Sequence, residues 1–279
     1  MTNASPKRML PHGTVDTHFH LFGPATHYPY AAGRSYTPAD AGLDDYLAMA
    51  GELGIARAVV VQPSPYGTDN RRLLDCLAQS PIPMRGVVAV TADITDAELS
   101  VMHEAGVRAI RINLVFDALA AVETAIKMAP RLRENGWHIQ FLVDASTWPD
   151  MVDTVQALGV PAVFDHLGHI PAHKGTADPG FQAMLGLLRD GLAWVKASGM
   201  YRMTGQVAPH TDVRPFLDGV VAANPDRVLW ATDWPHSAIK VPMPKDTALA
   251  AKALDWLGAD ASLRDKVFVQ NPVALYGFE

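Results

Sequence analysis

The sequence predicts an α/β protein, a single-domain (β/α)8 barrel of the TIM type that spans residues 1–279. Short runs rich in valine and isoleucine recur along the chain, and most are continuously apolar, as is typical of parallel strands buried on both faces. The segments between them are long enough for helices, and no repeat, low-complexity tract or linker divides the chain. An α/β barrel of this length commonly forms one domain. An open doubly wound sheet is the alternative, although no G-x-G-x-x-G turn follows the first run, which disfavours its nucleotide-binding form.

The predicted strands follow one another at the spacing expected for alternating strands and helices. In chain order they are Thr14–His20, Ala56–Gln62, Arg85–Thr91, Val107–Leu114, His138–Val143, Pro161–His166, Ala193–Ser198 and Arg227–Thr232.

Several of the intervening helices carry end signals. The segment from Leu43 to Gly54 closes on a glycine suited to the position that follows a helix. The stretch from Thr95 to Glu98 is a capping box that opens a helix ending near Gly106. A last helix is predicted around Ser262–Tyr276. The loop from Phe22 to Ala41, rich in proline, glycine and aromatic residues, is predicted to lie over the barrel mouth, with a surface wrap as the alternative.

Charge and cysteine content narrow the classes of function. The chain has 23 basic and 29 acidic side chains, a net charge of −6, and no Lys/Arg cluster of the kind that binds phosphates, so we do not expect a nucleic-acid partner. The single cysteine, Cys76, gives no disulfide framework, and we interpret it as a packing residue. No stretch resembles a signal peptide or approaches the ~20 apolar residues of a membrane span, so we expect a cytoplasmic protein without a membrane partner.

Polar residues close several of the predicted strands, and the carboxyl ends of barrel strands are where chemistry gathers. His18 and His20 share one face of the first strand because side chains alternate along a strand. His166 closes the sixth strand and Asp233 follows the eighth. Each histidine alone is more often structural, but their coincidence at one mouth predicts a catalytic set of His18, His20, His166 and Asp233. Asp165, adjacent to His166, is expected to face away and to be structural.

Other polar residues near the mouth are candidates for substrate binding. Arg111 and Arg202 can each form a bidentate pair with a carboxylate, and an ion pair within the protein is the structural alternative. The remaining candidates are Ser64, Tyr66, Tyr36, Tyr201 and His236. His169, His173 and His210 fall in loops and are expected to be solvated.

Six stretches carry a family resemblance: DTHFH, VVVQPSPYGTDNR, GVRAIRIN, FDHLGH, VLWATDWPH and NPVALYGF. Together they resemble the amidohydrolase superfamily, specifically its 2-pyrone-4,6-dicarboxylate lactonase-like branch. The resemblance covers nearly the whole chain. It implies the barrel fold, hydrolysis of a lactone or similar ester, and a general-base role for Asp233 in the TDWPH stretch.

Lactone opening suits the predicted set. Asp233 can accept a proton from the attacking water and return it to the leaving ring oxygen, while His18, His20 and His166 polarise the carbonyl. The same four residues could hold one Zn²⁺. A two-metal centre is disfavoured because the fourth and fifth strands contain no lysine. The resemblance implies that no metal is required, so we expect no obligatory cofactor, with a single zinc as the alternative.

The sequence departs from the pyrone-dicarboxylate enzymes at two places. Val115, Phe116 and Asp117 stand where that family has a further arginine, and Leu142 stands where it has a tyrosine. We therefore expect a small-molecule lactone with one carboxylate or several hydroxyls. The alternatives are a zinc-dependent decarboxylase of the same superfamily, a lactone isomerase and a non-enzymatic binding protein. The sequence does not indicate the oligomeric state.

Overall fold

The structure, a computed structural model, describes residues 9–114, 118–206, 208–239 and 241–279. Eight parallel strands pair in chain order, β1 to β8, in one sheet that curls into a nearly closed barrel. Their bounds are Val15–Phe19, Arg57–Val61, Met84–Val88, Val107–Asn113, His138–Leu142, Ala162–Phe164, Ala193–Ala197 and Val228–Trp230. Each overlaps its predicted run, and the predicted barrel class is confirmed.

Helices α1 to α10 surround the sheet. Their bounds are Leu43–Leu53, Arg71–Gln79, Asp96–Glu104, Ala118–Glu134, Met151–Leu158, Pro179–Arg189, Arg214–Ala223, Asp246–Trp256, Ala261–Asp265 and Asn271–Tyr276. No helix in these described ranges is both long enough and apolar enough to cross a membrane.

The end signals read from the sequence act as expected. Helix α1 ends at Gly54, which has φ of 83°, a left-handed conformation that glycine adopts without steric cost. At the start of α3, Thr95 Oγ1 accepts a hydrogen bond from the Glu98 N–H, and the Glu98 carboxylate accepts one from the Thr95 N–H.

The last predicted helix is interrupted. Residues 262–276 form α9, a π-helical turn at Lys266–Gln270 and then α10, rather than one continuous helix. Pro272 lies in the first turn of α10, and proline lacks the N–H that a continuous α-helix would need there. The π-helical turn at Lys266–Gln270 lies directly before this proline and joins α9 to α10.

The buried carboxylate of Asp16 holds the seam between β1 and β8. It accepts hydrogen bonds from the Thr232 N–H at 2.9 Å, the Thr232 hydroxyl at 2.6 Å and the Tyr46 hydroxyl at 3.0 Å. Just beyond, the Asp233 N–H donates to the His18 carbonyl at 2.9 Å. The seam therefore brings the first strand against the segment that follows the last one.

The loop from Phe22 to Ala41 covers part of the barrel mouth, as predicted. Phe22 and Ala41 pair at its base, and the backbone of Gly23 donates to the Tyr66 hydroxyl at 2.8 Å. Cys76 lies in the core beside Met84, and burial raises the pKa of its thiol to about 12, in agreement with a packing role.

We predict that Thr232→Val destabilises the fold by about 1.5–3 kcal/mol, because a buried carboxylate oxygen of Asp16 loses a charged hydrogen bond. Urea unfolding would measure this loss. Thr26→Val, at an exposed position, is the matched control and should stay within about 0.5 kcal/mol of the wild type. Equal stability of the two variants would contradict the role assigned to the seam.

Candidate active site

His18 and His20 form the floor of the barrel mouth. Both are almost fully buried, and their Nε2 atoms lie 3.1 Å apart. His20 Nδ1 lies 2.8 Å from the carbonyl oxygen of Val61. Because a carbonyl oxygen only accepts, His20 donates from Nδ1 and its Nε2 carries the lone pair. Burial lowers the pKa of His20 to about 4, and the charge of Arg111 acts in the same direction.

His166 enters the site from the turn after β6. Its φ of 50° is rare for a residue with a side chain, and such strain gathers at functional sites. Its Nδ1 lies 2.9 Å from the Ser198 hydroxyl. The residue after Ser198 must be glycine, since a Cβ at Gly199 would lie 2.7 Å from His166 Nδ1. Burial lowers the pKa of His166 to about 3.

Asp233 follows β8 and also has a positive φ, 62°. Its Oδ2 accepts hydrogen bonds from the Tyr201 hydroxyl at 2.5 Å and from Arg202 Nε at 2.6 Å. Its Oδ1 is buried, has no hydrogen-bond partner among the described residues, and lies 3.6 Å from His166 Nε2. Burial alone would raise the pKa of Asp233, but the charge of Arg202 and the nearby histidines hold it well below its usual range. The group is therefore an ionised carboxylate with one oxygen held and one free.

A cavity of about 200 Å³ opens above these groups. It is lined by His20, Ser35, Tyr36, Ser64, Arg111, Asn113, Leu142, His166, His169, Arg202, Asp233, Ser237 and Ala238. Most of the residues predicted for the site therefore converge on one space. His18 lies beneath it, against His20 and His166.

Three predicted substrate contacts lie elsewhere. Tyr201 and His236 sit behind Asp233, with His236 Nδ1 2.7 Å from the Tyr201 hydroxyl. Tyr66 is buried under the mouth loop, where it stacks on Phe22 and Tyr30. These side chains support the Asp233 carboxylate and the loop rather than the cavity wall.

The two arginines predicted to bind substrate differ in how many of their N–H groups already donate hydrogen bonds within the protein. Arg202 donates from Nε to the Asp233 carboxylate and from Nη2 to the Ser237 carbonyl, the latter at 3.0 Å. Arg111 donates to the Gln62 carbonyl at 3.1 Å, makes a long contact of 3.4 Å with Asp165, and its buried Nε has no partner in the described part of the chain.

The expectation that Asp165 faces away from the site is wrong. Its carboxylate lies inside the barrel, 3.2 Å from His18 Nδ1. Strand β6 ends at Phe164, so the alternation used to place Asp165 does not continue through the turn at His166. His169 and His210 were expected to be solvated, but His169 lines the cavity and His210 is buried.

Sequence reasoning also missed two interior residues. Lys196 on β7 and Gln140 on β5 are fully buried, and Lys196 Nζ lies 3.3 Å from His18 Nδ1. Burial lowers the pKa of Lys196 to about 8, with Asp165 opposing the shift. The signal was present in the AWVKA run, because a lysine in the middle of a buried strand is rare without a partner.

The donor set fits a single metal ion. One ligand atom each of His18, His166 and Asp233 lies within 4.8 Å of the others. Imidazole nitrogens with one carboxylate and room for a further ligand are typical of catalytic zinc.

The fold and this constellation define a barrel enzyme with histidines and an aspartate at the carboxyl ends of its strands. The chain belongs to the amidohydrolase family, whose sequence model matches residues 15–278. This match confirms the resemblance inferred from the motifs.

Two relatives and one solved structure are similar over almost their full length. The chain is 37% identical to a 2-pyrone-4,6-dicarboxylate hydrolase of Comamonas testosteroni, over 98% of this chain and 93% of the relative. It is 32% identical to a 4-sulfomuconolactone hydrolase of Hydrogenophaga intermedia, over 96% and 90%. A crystal structure from Agrobacterium tumefaciens has a TM-score of 0.87 at 29% identity and covers 99% of both chains.

We predict that the free energy of unfolding falls steeply as pH drops from 6.5 towards 4. The buried rings of His20, His138 and His166 stay neutral when folded, because burial lowers their pKa values to about 4, 3 and 3. The unfolded chain binds protons in this range that the folded protein does not, so each ring costs about 1.4 kcal/mol per pH unit. Burial raises the pKa of Asp16 to about 6, so in this range the folded protein binds a proton at Asp16 that the unfolded chain does not. This offsets the contribution of one histidine to the slope.

Urea unfolding at several pH values measures this slope. His20→Gln removes one of these protonation differences and should reduce the slope by about 1.4 kcal/mol per pH unit. His173→Gln, at an exposed position, should leave the slope unchanged. A free energy that does not vary with pH in this range would show that the imidazoles are not buried as neutral rings.

Proposed function

We propose that this protein hydrolyses a small-molecule lactone that bears a carboxylate or several hydroxyls. The observation that carries the proposal is the free, ionised oxygen of Asp233, which faces buried imidazoles in a cavity of small-molecule size. The two curated relatives are named as hydrolases of lactones, which supports the same reaction class. The proposed partner is a small molecule, and the proposed compartment is the cytoplasm.

Asp233 acts as the general base. Oδ1 accepts a proton from a water molecule as its oxygen attacks the lactone carbonyl carbon, while Tyr201 and Arg202 keep Oδ2 in place. The bond between the carbonyl carbon and the ring oxygen then breaks. Asp233 returns the proton to the departing ring oxygen, so the products are a hydroxyl and a carboxylic acid, which loses its remaining proton to solvent, and the enzyme regains its starting protonation state.

The histidines act on the carbonyl oxygen. Negative charge develops on that oxygen when water adds, and N–H groups already aimed at it stabilise the transition state without reorganisation. His166 lines the cavity and would offer an N–H to this oxygen, and its burial strengthens that contact. His20, whose Nε2 carries a lone pair, and His18 beneath it would polarise the carbonyl through a bound metal ion.

A single zinc ion is an optional part of this proposal. His18, His166 and Asp233 would hold it, with His20 beside them, and it would supply Lewis-acid polarisation of the carbonyl. The residues named above do not need it for their own proton transfers, so we propose no obligatory cofactor.

The cavity wall supports the substrate class. Tyr36, Ser64 and Ser237 offer hydroxyls, and Arg111 offers one incompletely used guanidinium. Leu142 lines the cavity at the position where the resembling family has a tyrosine. The expected loss of a second cation at Val115–Asp117 lies outside the described residues.

We predict that Asp233→Asn lowers kcat by about 10²–10⁴, because the amide cannot accept the proton of water. Asparagine keeps the size and tolerates the positive φ. A panel of aldonolactones, muconolactones and pyrone carboxylates, followed by acid release, provides the assay. Asp190→Asn, at an exposed position, is the matched control and should keep full activity.

Product NMR on the same reactions separates the alternatives. An open hydroxy acid is expected, whereas a lactone of different ring size would indicate an isomerase and release of CO₂ a decarboxylase. Undiminished turnover by Asp233→Asn would overturn the assigned base.

We predict that Arg111→Met lowers kcat/KM for a lactone carrying a ring carboxylate by about 10- to 100-fold, the value of one charged hydrogen-bonded pair. The change should be much smaller for an uncharged aldonolactone. Steady-state kinetics with both substrates measure the difference, and Arg189→Met, at an exposed position, is the control. Equal losses for the two substrates would show that Arg111 is structural and not an anchor.

A further inference from the structure

The ammonium group of Lys196 is the most unusual charge in the barrel. The side chain has no exposed surface and points from β7 into the interior below the catalytic cavity. Burying a charge is costly unless it is paired and hydrogen-bonded. The proton transfers proposed above make no use of Lys196, so its presence under His18 calls for a separate explanation.

Two of the three ammonium protons have clear acceptors. Lys196 Nζ donates to the Thr17 carbonyl at 2.9 Å and to Gln140 Oε1 at 2.6 Å. The third proton faces two neighbours, His18 Nδ1 at 3.3 Å and Asp165 Oδ1 at 3.5 Å. Which of them accepts it decides the state of His18.

The hydrogen bond from His20 to the Val61 carbonyl settles that question. His20 donates from Nδ1, so its Nε2 is an acceptor, and this atom lies 3.1 Å from His18 Nε2. Two lone pairs at that distance repel each other. In the metal-free protein His18 therefore carries its proton on Nε2, which leaves a lone pair on Nδ1.

The surroundings of His18 Nδ1 suit that lone pair. Lys196 at 3.3 Å is a donor, and Gln140 Nε2 at 3.5 Å is a second one. Asp165 at 3.2 Å is an acceptor and favours the opposite tautomer, but its Oδ2 already accepts from Gln140 and Arg111.

We propose that Lys196 is a positioning residue that donates to Nδ1 of His18, so that Nε2 of His18 carries a proton, which it donates to Nε2 of His20, and a divalent cation must displace that proton to bind there. This proposal does not rest on the proposed lactonase function, because it follows from the hydrogen bonds and charges alone.

Asp165 and Lys196 have opposite effects on the tautomer of His18. Lys196→Met leaves Asp165 as the charged neighbour at Nδ1 among the described residues, so His18 should switch its proton to Nδ1 and offer Nε2 as a ligand. Asp165→Asn leaves Lys196 at Nδ1, so the wild-type tautomer should persist. A purely structural role of the ion pair would make both substitutions act in the same direction.

The test measures zinc affinity by calorimetry in the wild-type protein and in both variants. We expect Lys196→Met to bind Zn²⁺ about 10- to 100-fold more tightly than the wild type, the usual size of effects from residues behind a ligand. Asp165→Asn should bind no more tightly than the wild type. Lys174→Met, which removes a surface lysine, is the matched control and should leave the affinity unchanged.

The ¹⁵N NMR spectrum of the metal-free wild-type protein tests the tautomer without any variant at Lys196. The His18 signals, assigned by their loss in His18→Gln, should show a protonated Nε2 and an unprotonated Nδ1. The reverse pattern would overturn the proposal even if Lys196→Met failed to fold. So would zinc affinity that is unchanged in Lys196→Met or raised equally in both variants.

Kinetics keep the two proposals apart. If no lactone is turned over by any form of the protein, the proposed function fails. The NMR and zinc measurements still decide the role of Lys196.

Discussion

Two backbone hydrogen bonds across the barrel seam hold the site together. The Asp233 N–H donates to the His18 carbonyl, and the His20 N–H donates to the Trp234 carbonyl. They join segments more than 200 residues apart in the chain, and the buried Asp16 carboxylate ties the same seam through Thr232. Every distance between the imidazoles and the Asp233 carboxylate depends on this closure of the barrel.

Buried charges on either side of the histidines are kept in separate pairs. Asp233 is held by Arg202, while Asp165 faces Lys196 and Arg111. Breaking a buried pair is expensive, so each partner fixes the position of the other. The result is that only one carboxylate oxygen, Oδ1 of Asp233, is left without a partner among the described side chains of the site. Oδ1 of Asp233 is therefore available as a proton acceptor, while Tyr201 and Arg202 donate to Oδ2.

The fold was largely predictable because buried parallel strands leave a strong pattern. Runs such as Ala56–Gln62 are too apolar for a surface position, and their regular spacing fixes the barrel. Strand ends were placed to within a few residues, and the polar groups that close them were therefore found. The final helix was misjudged because a π-helical turn has no sequence signal that distinguishes it from an α-helix.

The interior of the site was less predictable for a physical reason. Alternation along a strand stops where the strand stops, so Asp165 could not be oriented from its neighbour His166. Lys196 was overlooked because its role depends on partners from β1, β5 and β6, which only the closed barrel brings together. Tyr66 was assigned to the cavity because no local pattern reveals that it packs beneath a loop.

That loop has a consequence of its own. Its two ends are pinned where Phe22 pairs with Ala41, and between them Ser35 and Tyr36 form one wall of the cavity. None of the residues that hold Asp233 or His166 belongs to it. Evolution can therefore exchange or resize this wall, and with it the ring that is accepted, while the chemistry of ester cleavage is inherited intact.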